Sequence, residues 1–570
     1  MSYSISVALT GSGGAGAMTA GQILLDSAAQ AGFYGLMTRS MGPQIRGGEA
    51  AALVRISSVP ISSLDDHYDL LVPFDWGNIN RFSAELPLSS SSLILADPEQ
   101  GDVPPSIAGY GARVAALPLK ALAGAIPGGR ANMVGLGAVA TLIGLPIASV
   151  IAVLTKQLAR KGEEVLAAST ACLEAGAQAA AGLPSVTKLP SQPHGEALRW
   201  NISGNEAAGL GALRGGIKFV AAYPITPATE VLEWLAPALE KTGGALVQAE
   251  DELASINMVI GGSFAGLPSL TATSGPGLSL MTESIGLAVA SETPLVVIDV
   301  MRGGPSTGIP TKSEQSDLNI AVYGLHGDAP HVVVAPNSAT DCLFATQWSV
   351  HLAEALQTPA IVLSDQAMGQ SRVVIDKPAE NGFVAQRLVP EADAPGYQRY
   401  ALTNSGVSPM AIPGMAGNNY VADGLEHNER GTPSSQASDH LAQLDKRAGK
   451  LDAFDYGEHW ADIEGDGEIA VITWGSVTGP VREAIGRARA KGIKAKMISL
   501  RLILPTRPAQ MQEALKGVKK VLVVEQSHSQ QFHKFLRGHY DLPGDVLVVS
   551  RPGPLPIRPA EIETRLAAWK

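Results

Sequence analysis

Cysteine is scarce in this sequence, and that scarcity excludes several kinds of site. The 570 residues contain two cysteines, Cys172 and Cys342, and no Cys-x-x-Cys occurs. An iron–sulfur cluster or a structural zinc site usually takes about four protein ligands, so we expect no metal site of either kind in this chain. Both thiols are predicted to be buried core residues. The lack of a disulfide framework fits a cytoplasmic protein.

Basic charge and long hydrophobic runs are also limited. The net charge of −11 argues against non-specific nucleic-acid binding. No signal peptide is predicted, because the first residues indicate a strand that runs into a glycine loop. The stretch between Arg130 and Lys156 has no charged residue and is long enough to span a membrane. Gly144-Leu-Pro146 interrupts it, so we predict two buried elements and no membrane association.

Alternating apolar strands and helices predict a multidomain α/β protein with doubly wound sheets. We expect one domain at 1–190 and a second at 197–380, joined by a proline-rich linker around 184–195. A third α/β domain is predicted at 466–570. Residues 381–465 have few apolar runs and many Gly, Pro, Asn and Ser. They are predicted to form an insertion or linker, either an ordered loop or a segment that packs on another subunit.

A glycine-rich turn follows the first predicted strand. Gly11, Gly13, Gly14 and Gly16 precede a predicted helix, and such turns let a backbone approach a phosphate at a helix N-terminus. A dinucleotide site would also need an acidic residue about 20 positions later, and the chain has Arg39 there. Arg46 would suit an anionic ligand. A strand-to-helix turn without a ligand is the alternative interpretation.

Two further motifs follow predicted strands in the second domain. Tyr223-Pro-Ile-Thr-Pro227 holds Thr226 where ligands bind in open α/β sheets. The Thr226 hydroxyl would contact a substrate carboxylate or keto oxygen, or it would cap a helix that begins near Ala228. Arg302 follows the predicted strand Leu295–Val300. Its guanidinium suits a carboxylate, although a surface ion pair is the alternative.

Taken together, these motifs resemble the 2-oxoacid:ferredoxin oxidoreductases. Residues 1–180 are similar to the gamma module of that family, about 210–320 to its pyrimidine domain, and 466–570 to a transketolase C-terminal-type domain. The segments that carry the resemblance are Gly11–Gly16 with Pro43–Gly48, Tyr223–Pro227, Gln248–Ala254, Thr271–Gly277 and Arg302–Thr311.

The resemblance implies a thiamine diphosphate site and roles for several residues. A carboxylate beside N1′ of the aminopyrimidine favours the imino tautomer, which removes the proton at C2 of the cofactor. Glu252 is the preferred residue, because a glycine lies nine positions later at Gly261, and Glu250 is the alternative. Thr226, Arg302, Thr311 and Tyr223 are expected to contact the 2-oxoacid, and the gamma module to hold coenzyme A.

The other half of a thiamine diphosphate site is missing from the sequence. Gly465-Asp-Gly467 matches the start of the family's metal motif, but it precedes a predicted strand, and no Asn lies between Ile469 and Lys570. We therefore predict that this chain holds no metal. The resemblance implies a beta subunit that contributes the diphosphate site, Mg²⁺ and a [4Fe-4S] cluster in an (αβ)2 assembly, with ferredoxin as redox partner.

The order of the modules is most similar to enzymes that act on 2-oxoglutarate. The expected reaction converts 2-oxoglutarate and coenzyme A to succinyl-CoA and CO2 with reduction of ferredoxin, or runs in reverse. Pyruvate and other 2-oxoacids are alternative substrates. The second carboxylate of 2-oxoglutarate would need another cation, for which Arg372 and Arg430 are candidates. An NAD-dependent dehydrogenase and a non-catalytic partner protein are the alternatives from other functional classes.

Overall fold

The computed structural model describes residues 4–42, 47–190 and 199–569. They form two compact units, and each unit is assembled from distant parts of the chain. Unit 1 takes the described residues up to 203 together with 370–379 and 557–561. Unit 2 takes 204–369, 380–556 and the described residues from 562 onwards.

The strands lie close to the apolar runs of the sequence. They are β1 Ser4–Ser12, β2 Tyr34–Met41, β3 Glu49–Ser57, β4 Leu70–Pro73, β5 Leu93–Ala96, β6 Arg113–Ala116, β7 Trp200–Ser203, β8 Phe219–Ala222, β9 Ala245–Gln248, β10 Ser269–Thr273, β11 Leu295–Met301, β12 Val332–Val334, β13 Pro359–Asp365, β14 Arg372–Ile375, β15 Ala461–Glu464, β16 Ile469–Trp474, β17 Ala495–Leu500, β18 Leu502–Leu504, β19 Lys520–Glu525 and β20 Asp545–Ser550.

The helices follow most of these strands, as expected for an α/β chain. They are α1 Ala17–Gln30, α2 Pro105–Ala108, α3 Leu119–Gly124, α4 Ala131–Ile143, α5 Ile147–Leu158, α6 Glu163–Ala180, α7 Gly204–Gly215, α8 Thr229–Lys241, α9 Glu252–Phe264, α10 Gly275–Ala290, α11 Leu318–Tyr323, α12 Asp341–Leu356, α13 Gln366–Gln370, α14 Ala437–Asp452, α15 Thr478–Ala490, α16 Pro508–Ala514, α17 Gln531–His539 and α18 Pro559–Ala567.

Unit 1 contains one mixed sheet in the order β6-β5-β4-β1-β3-β2-β14-β7. The expected parallel arrangement holds for β1, β4, β5 and β6. The strands β3, β2, β14 and β7 run antiparallel to their neighbours. Strands β2 and β3 are joined by a connection too short for a parallel crossover, so they pair as antiparallel neighbours.

Side chains on the two faces of this sheet enter separate cores. Along β1, Val7 and Leu9 belong to the larger core, and Ala8 belongs to the smaller core on the other face. This alternation is the period of two that a strand imposes. The larger core also takes Cys172, which is buried and free, as is Cys342 in unit 2. The prediction that both thiols are buried is therefore confirmed.

The uncharged stretch after Arg130 forms two helices with a break between them, as predicted, but only α4 is buried along most of its length, and α5 buries Val150, Val153 and Leu154. Gly144 ends α4 in the left-handed conformation, with a φ of 77°. Helix α4 packs closely on α6, because a Cβ at Gly137 would lie 1.9 Å from the carbonyl oxygen of Leu173. Among the described residues, no helix is long and apolar enough to cross a membrane.

Unit 2 contains two sheets. The larger has the order β18-β12-β13-β11-β10-β8-β9, and its strands are parallel except for β18, which pairs antiparallel with β12. The smaller has the order β15-β17-β16-β19-β20, in which only β15 is antiparallel to its neighbour. Both are doubly wound sheets of the predicted type.

The residues from 381 to 465 are ordered against unit 2. After β14 they run without a helix or strand as far as α14, a helix that the sequence analysis missed. Arg387 makes two hydrogen bonds of 2.7 and 2.8 Å to the carboxylate of Glu354. Arg399 donates to the carbonyl of Glu292 at 2.8 Å. Charged groups therefore help to fix the segment, alongside buried side chains such as Tyr400 and Met410.

Glu292 is the centre of this attachment. Its carboxylate is fully buried and accepts hydrogen bonds from Lys446 and, at 2.7 Å, from Lys450, both of which lie on α14. Burial opposes ionisation of Glu292, but Lys450, Lys446 and Arg399 together hold its pKa well below the ordinary value. One carboxylate thus compensates three buried cations.

Removing that carboxylate should destabilise unit 2 strongly. We predict that Glu292→Gln lowers the free energy of unfolding by about 3–5 kcal/mol, because it leaves buried cations uncompensated. Urea unfolding followed by tryptophan fluorescence measures the change. Glu464→Gln is the control, since it removes an exposed ion pair with Arg482 and should cost no more than about 1 kcal/mol. Equal effects of the two changes would contradict this account of the attachment.

Candidate functional site

The motifs of the second domain meet at the carboxyl edge of the larger sheet in unit 2. Strands β11, β10, β8 and β9 are consecutive and parallel. Each is followed by one predicted motif. They are Arg302–Thr311 after β11, Ser274–Gly277 after β10, Tyr223–Pro227 after β8 and Glu250–Glu252 after β9. Ligands bind at this edge in open α/β sheets, so the fold gathers the motifs into one candidate site.

Arg302 is tied to the loop that follows β8. Its Nη1 donates a hydrogen bond to the carbonyl oxygen of Thr226. The side chain is 6% exposed, and its Nε is buried without a hydrogen-bond partner. Burial lowers the pKa of Arg302, while Asp317, Asp299 and Glu252 act in the opposite direction. A planar guanidinium with an unpaired N–H group is suited to bind a carboxylate.

The Thr226 side chain is exposed, as is that of Tyr223. Helix α8 begins at Thr229, and its cap residue Ala228 has no side-chain capping bond. The alternative interpretation, in which Thr226 caps this helix, therefore does not apply. The backbone of Thr226 holds Arg302, and its hydroxyl remains on the surface of the site.

The two candidate glutamates differ in their surroundings. Glu252 is the first residue of α9 and is 7% exposed, whereas Glu250 is exposed. Asp251 caps the helix by accepting a hydrogen bond of 2.7 Å from the N–H of Ala254. The Glu252 carboxylate packs on Gly277, where a Cβ would lie 2.8 Å from its Oε1. Glu252 is thus the glutamate held inside the candidate site.

The loop after Arg302 is closed tightly on itself. Ile309 donates to the carbonyl of Gly303 at 2.7 Å, and Gly303 donates to the carbonyl of Lys312 at 2.9 Å. Gly308 has a φ of 53°, and a Cβ there would lie 1.7 Å from the carbonyl oxygen of Gly303, so only glycine fits. The hydroxyl oxygen of Thr311 is buried without a hydrogen-bond partner.

The smaller sheet of unit 2 supports the end of this loop, which the sequence analysis did not foresee. Gln315 and Gln526 exchange two hydrogen bonds of 2.8 Å, and the Gln315 amide donates to the carbonyl of Trp474 at 2.9 Å. Gln531 donates to the carbonyl of Ser316 at 2.8 Å. Gln526 and Gln531 lie in the segment after β19, in which His528 is exposed.

Two carboxyls that interact with Arg302, one fully buried and one partly buried, were also missed. Asp299 lies within β11 and is fully buried, and Asp317 precedes α11. Burial and the neighbouring Asp317 raise the pKa of Asp299 well above its ordinary value. Burial and the Glu314 carboxylate raise the pKa of Asp317 to about 7, although Arg302 opposes the shift. The available signal was a single Asp inside the otherwise apolar run of β11.

Unit 1 contains the glycine turn. Asp75 accepts hydrogen bonds from the backbone and hydroxyl of Ser12 at 2.9 and 2.8 Å, which fixes the turn. Gly16 has a φ of 87°, and a Cβ there would lie 2.3 Å from the Asn132 amide. A cavity of about 480 Å³ is lined by Gly14 and Gly16, and also by Arg130, Asn132 and Lys161. Gly13 is in the same turn, Gly11 is near the end of β1, and Arg46 lies outside the described residues.

The glycine turn does not belong to a dinucleotide-binding unit of the usual kind. In such a unit the strands on either side of the first helix are parallel neighbours. Here β3 lies between β1 and β2 and is antiparallel to both. Together with the missing acidic residue, this topology counts against the dehydrogenase alternative.

The described ranges contain no group of three or more His, Cys, Asp or Glu that could hold a metal ion. Gly465 and Gly467 form the turn before β16, with φ values of 79° and 141°. A Cβ at Gly467 would lie 2.4 Å from the carbonyl oxygen of Lys494, so the glycine pattern there serves a close backbone contact.

Of the candidates for a second substrate cation, Arg372 belongs to unit 1 and Arg430 to unit 2. Arg372 donates to the side chain and the carbonyl of Asn201 at 3.1 Å within the sheet of unit 1. Arg430 is near His427, which bonds to the carbonyl of Ala290 at the last turn of α10. The candidate site lies at the first turn of this 16-residue helix, roughly 24 Å away.

Three family profiles cover most of the chain. Residues 6–179 match pyruvate ferredoxin/flavodoxin oxidoreductase. Residues 210–446 match the thiamine-diphosphate-binding domain of pyruvate flavodoxin/ferredoxin oxidoreductase. Residues 467–541 match core domain II of pyruvate:ferredoxin oxidoreductase.

Individual relatives agree with the family profiles. The alpha subunit of 2-oxoacid:ferredoxin oxidoreductase 2 from Aeropyrum pernix is 33% identical over 78% of this chain and 74% of its own length. The 2-oxoglutarate synthase subunit KorA from Methanothermobacter marburgensis is 35% identical over 65% of this chain and 98% of its own length.

A solved structure is similar over nearly the whole chain. It is the 2-oxoglutarate:ferredoxin oxidoreductase from Magnetococcus marinus with 2-oxoglutarate, coenzyme A and succinyl-CoA bound. It is 35% identical, covers 99% of both chains and has a TM-score of 0.92. The chain therefore belongs to the family of 2-oxoacid:ferredoxin oxidoreductases, carries the family's thiamine-diphosphate-binding domain, and is an oxidoreductase that acts on 2-oxoacids.

Proposed function

We propose that this chain is the alpha subunit of a 2-oxoglutarate:ferredoxin oxidoreductase. The reaction joins the succinyl group of 2-oxoglutarate to coenzyme A, releases CO2 and transfers two electrons to ferredoxin, or runs in reverse. The observation that carries the proposal is the meeting of Arg302, Thr226 and Glu252 at one sheet edge. The similarity in fold to the Magnetococcus marinus enzyme favours 2-oxoglutarate among the 2-oxoacids.

The residues at this edge fit the aminopyrimidine half of a thiamine diphosphate site. Glu252 is a buried carboxylate, Gly277 leaves no side chain in front of it, and the hydroxyls of Ser274 and Thr311 are buried without partners. When bound, thiamine diphosphate supplies a nucleophilic carbon and an electron sink for decarboxylation. Glu252 would hold and return a proton at the pyrimidine nitrogen.

The remaining polar groups orient the substrate. Arg302 would bind the carboxylate of the oxoacid, with its guanidinium fixed by the Thr226 carbonyl. The hydroxyls of Thr226 and Thr311 would donate to carboxylate or keto oxygens, and Tyr223 would border the entrance. The tight loop after Arg302 keeps these groups in place without a large rearrangement.

A second subunit completes the proposed enzyme. Three apolar side chains are exposed near Glu252. Leu253 and Met258 lie on α9, the helix that begins with Glu252, and are 48 and 42% exposed, and Leu280 on α10 is 49% exposed. Such an apolar surface next to a half-formed site favours a partner chain. We propose that this beta subunit brings the diphosphate site, Mg²⁺ and a [4Fe-4S] cluster, that the assembly is (αβ)2, and that it reduces ferredoxin.

Unit 1 is proposed to hold coenzyme A. The cavity beside Gly14 and Gly16 is lined by two cationic side chains, Arg130 and Lys161, and opens at the N-terminus of α1. Cationic groups and free helix N–H groups suit the phosphates of this cosubstrate. Gly11 and Gly13 shape the same turn, and Arg46 is proposed as a further contact.

The proposal is tested by isolating the chain with its native partner and assaying methyl viologen reduction. We expect a partner that carries cysteine-rich cluster motifs to co-purify. With coenzyme A present, kcat/KM should be highest for 2-oxoglutarate, compared with pyruvate and branched-chain oxoacids. A preference for pyruvate would overturn the substrate assignment. A complex without any oxoacid-dependent reduction would overturn the function.

The two glutamates give a matched pair of variants. We predict that Glu252→Gln lowers kcat by about 10²-fold or more, because an amide cannot accept the proton at the pyrimidine nitrogen. Glu250→Gln should stay within about twofold of the wild type, since that side chain is exposed. Steady-state assays of both complexes with 2-oxoglutarate measure this. The assignment fails if Glu250→Gln is the inactive variant.

The proposed partner surface can be blocked without disturbing the fold. A side chain at Gly261 on α9 would meet nothing within 4 Å, and the same is true at Gly486 on α15. We predict that Gly261→Arg abolishes co-purification of the beta subunit, whereas Gly486→Arg retains it. Both variants should unfold at a temperature close to that of the wild type, because an interior helical glycine is suboptimal. Retention of the partner by Gly261→Arg would exclude this face as the interface.

A further inference from the structure

Two carboxyls interact electrostatically with the guanidinium that is proposed to bind the oxoacid, and neither forms an ion pair with it within 4 Å in the part of the chain that the structure describes. Asp299 points from β11, whose last residue precedes Arg302, and is fully buried. Both of its oxygens and one oxygen of Asp317 are buried without a hydrogen-bond partner. Asp299 and Asp317 interact electrostatically with each other and with Arg302. Carboxyls with so little hydrogen bonding are rare in protein interiors and need an explanation.

The position of Asp317 is set by the first turn of α10. A Cβ at Gly275 would lie 2.6 Å from an oxygen of Asp317, so this carboxylate packs directly on the glycine. The N-terminus of a 16-residue helix favours a negative charge there. Asp299 has no such support, and burial beside a second carboxyl disfavours its ionised form.

We propose that Asp299 and Asp317 are positioning residues beside Arg302, that Asp299 keeps its own proton, and that Asp317 must take up a second proton for Arg302 to bind the oxoacid carboxylate fully. This inference rests on the proposed function. Asp299 stays neutral, and Asp317 is the member of the pair that titrates. When Asp317 is ionised it competes with the substrate carboxylate for the guanidinium. When the substrate binds, Asp317 takes up a proton from solvent.

The charged groups around Asp317 determine where it titrates. Glu314 favours its protonated form and Arg302 its ionised form. Glu252 also faces Arg302, and His528 faces Glu314. With a pKa of about 7, Asp317 is mostly protonated at pH 6 and mostly ionised at pH 8. The KM for the oxoacid should therefore rise about tenfold between these pH values, while kcat changes less.

The test uses the complete complex with its partner subunit. In Asp317→Asn the amide resembles the protonated acid, so the KM should stay low and nearly constant from pH 6 to pH 8. In Glu314→Gln the rise should move to lower pH, because a charge that favours protonation of Asp317 is gone. Glu240→Gln removes an exposed carboxylate of α8 and should keep the wild-type profile. A pH-dependent KM in Asp317→Asn equal to that of the wild type would overturn the inference.

A measurement on the wild type covers the case in which Asp317→Asn does not assemble. Binding of the unreactive 2-hydroxy analogue of the active oxoacid is followed by calorimetry in buffers of different ionisation enthalpy. We expect uptake of roughly half a proton per site at pH 7, and no uptake would overturn the inference. If the wild-type complex reduces no dye with any oxoacid, the proposed function itself fails, which is a separate outcome.

Discussion

The hydrogen bond from Arg302 to the carbonyl of Thr226 joins two motifs that are 76 residues apart in the sequence. It is possible because β8, β10 and β11 are adjacent parallel strands whose carboxyl ends share one edge. The acceptor is a backbone atom, so its position depends on the course of the chain and not on a side-chain rotamer. The Thr226 hydroxyl is left free for a ligand. The rest of the site is arranged around this fixed cation.

Buried charges are compensated in opposite ways at two places in unit 2. At Glu292 three cations surround one carboxylate, and the pKa falls far below its ordinary value. Around Arg302 several carboxyls surround one cation, and the pKa values of Asp299 and Asp317 rise. The first arrangement keeps the Glu292 carboxylate ionised over the whole neutral range, which suits a permanent attachment of the segment 381–465. The second has a group that can change its protonation state near neutrality, which suits a binding site.

The elements that were predicted correctly are those whose signal is local. Strand β11 is an apolar run interrupted only by Asp299, and parallel strands covered on both faces have that pattern. Helix α14 was missed because the side that packs on unit 2 carries Lys446, Arg447 and Lys450, so its sequence has the character of a surface helix. Strand β14 was missed because its partners β2 and β7 are supplied by distant parts of the chain.

The same holds for the site residues: those with a local sequence signal could be predicted. Arg302, Thr226 and Glu252 follow strands and fall in recognisable motifs, so their convergence could be predicted. A distinction between Glu250 and Glu252 on physical grounds required burial, which only the fold supplies. Gln315 could not be identified, because an isolated glutamine has no pattern, and its importance comes from contacts with Gln526 and Trp474 more than 150 residues away.

Arg302 presents a physical problem that the neighbouring acids resolve. An isolated guanidinium at 6% exposure would be costly before substrate arrives, and an ion pair that is fully formed would exclude the substrate. The proposed carboxyl pair avoids both, because Asp317 would compensate the cation in the empty site and would become neutral when an oxoacid carboxylate takes its place. The net charge buried in the site is then the same before and after binding. Proton uptake by Asp317 would offset the desolvation of the substrate carboxylate, without a rearrangement of the fold.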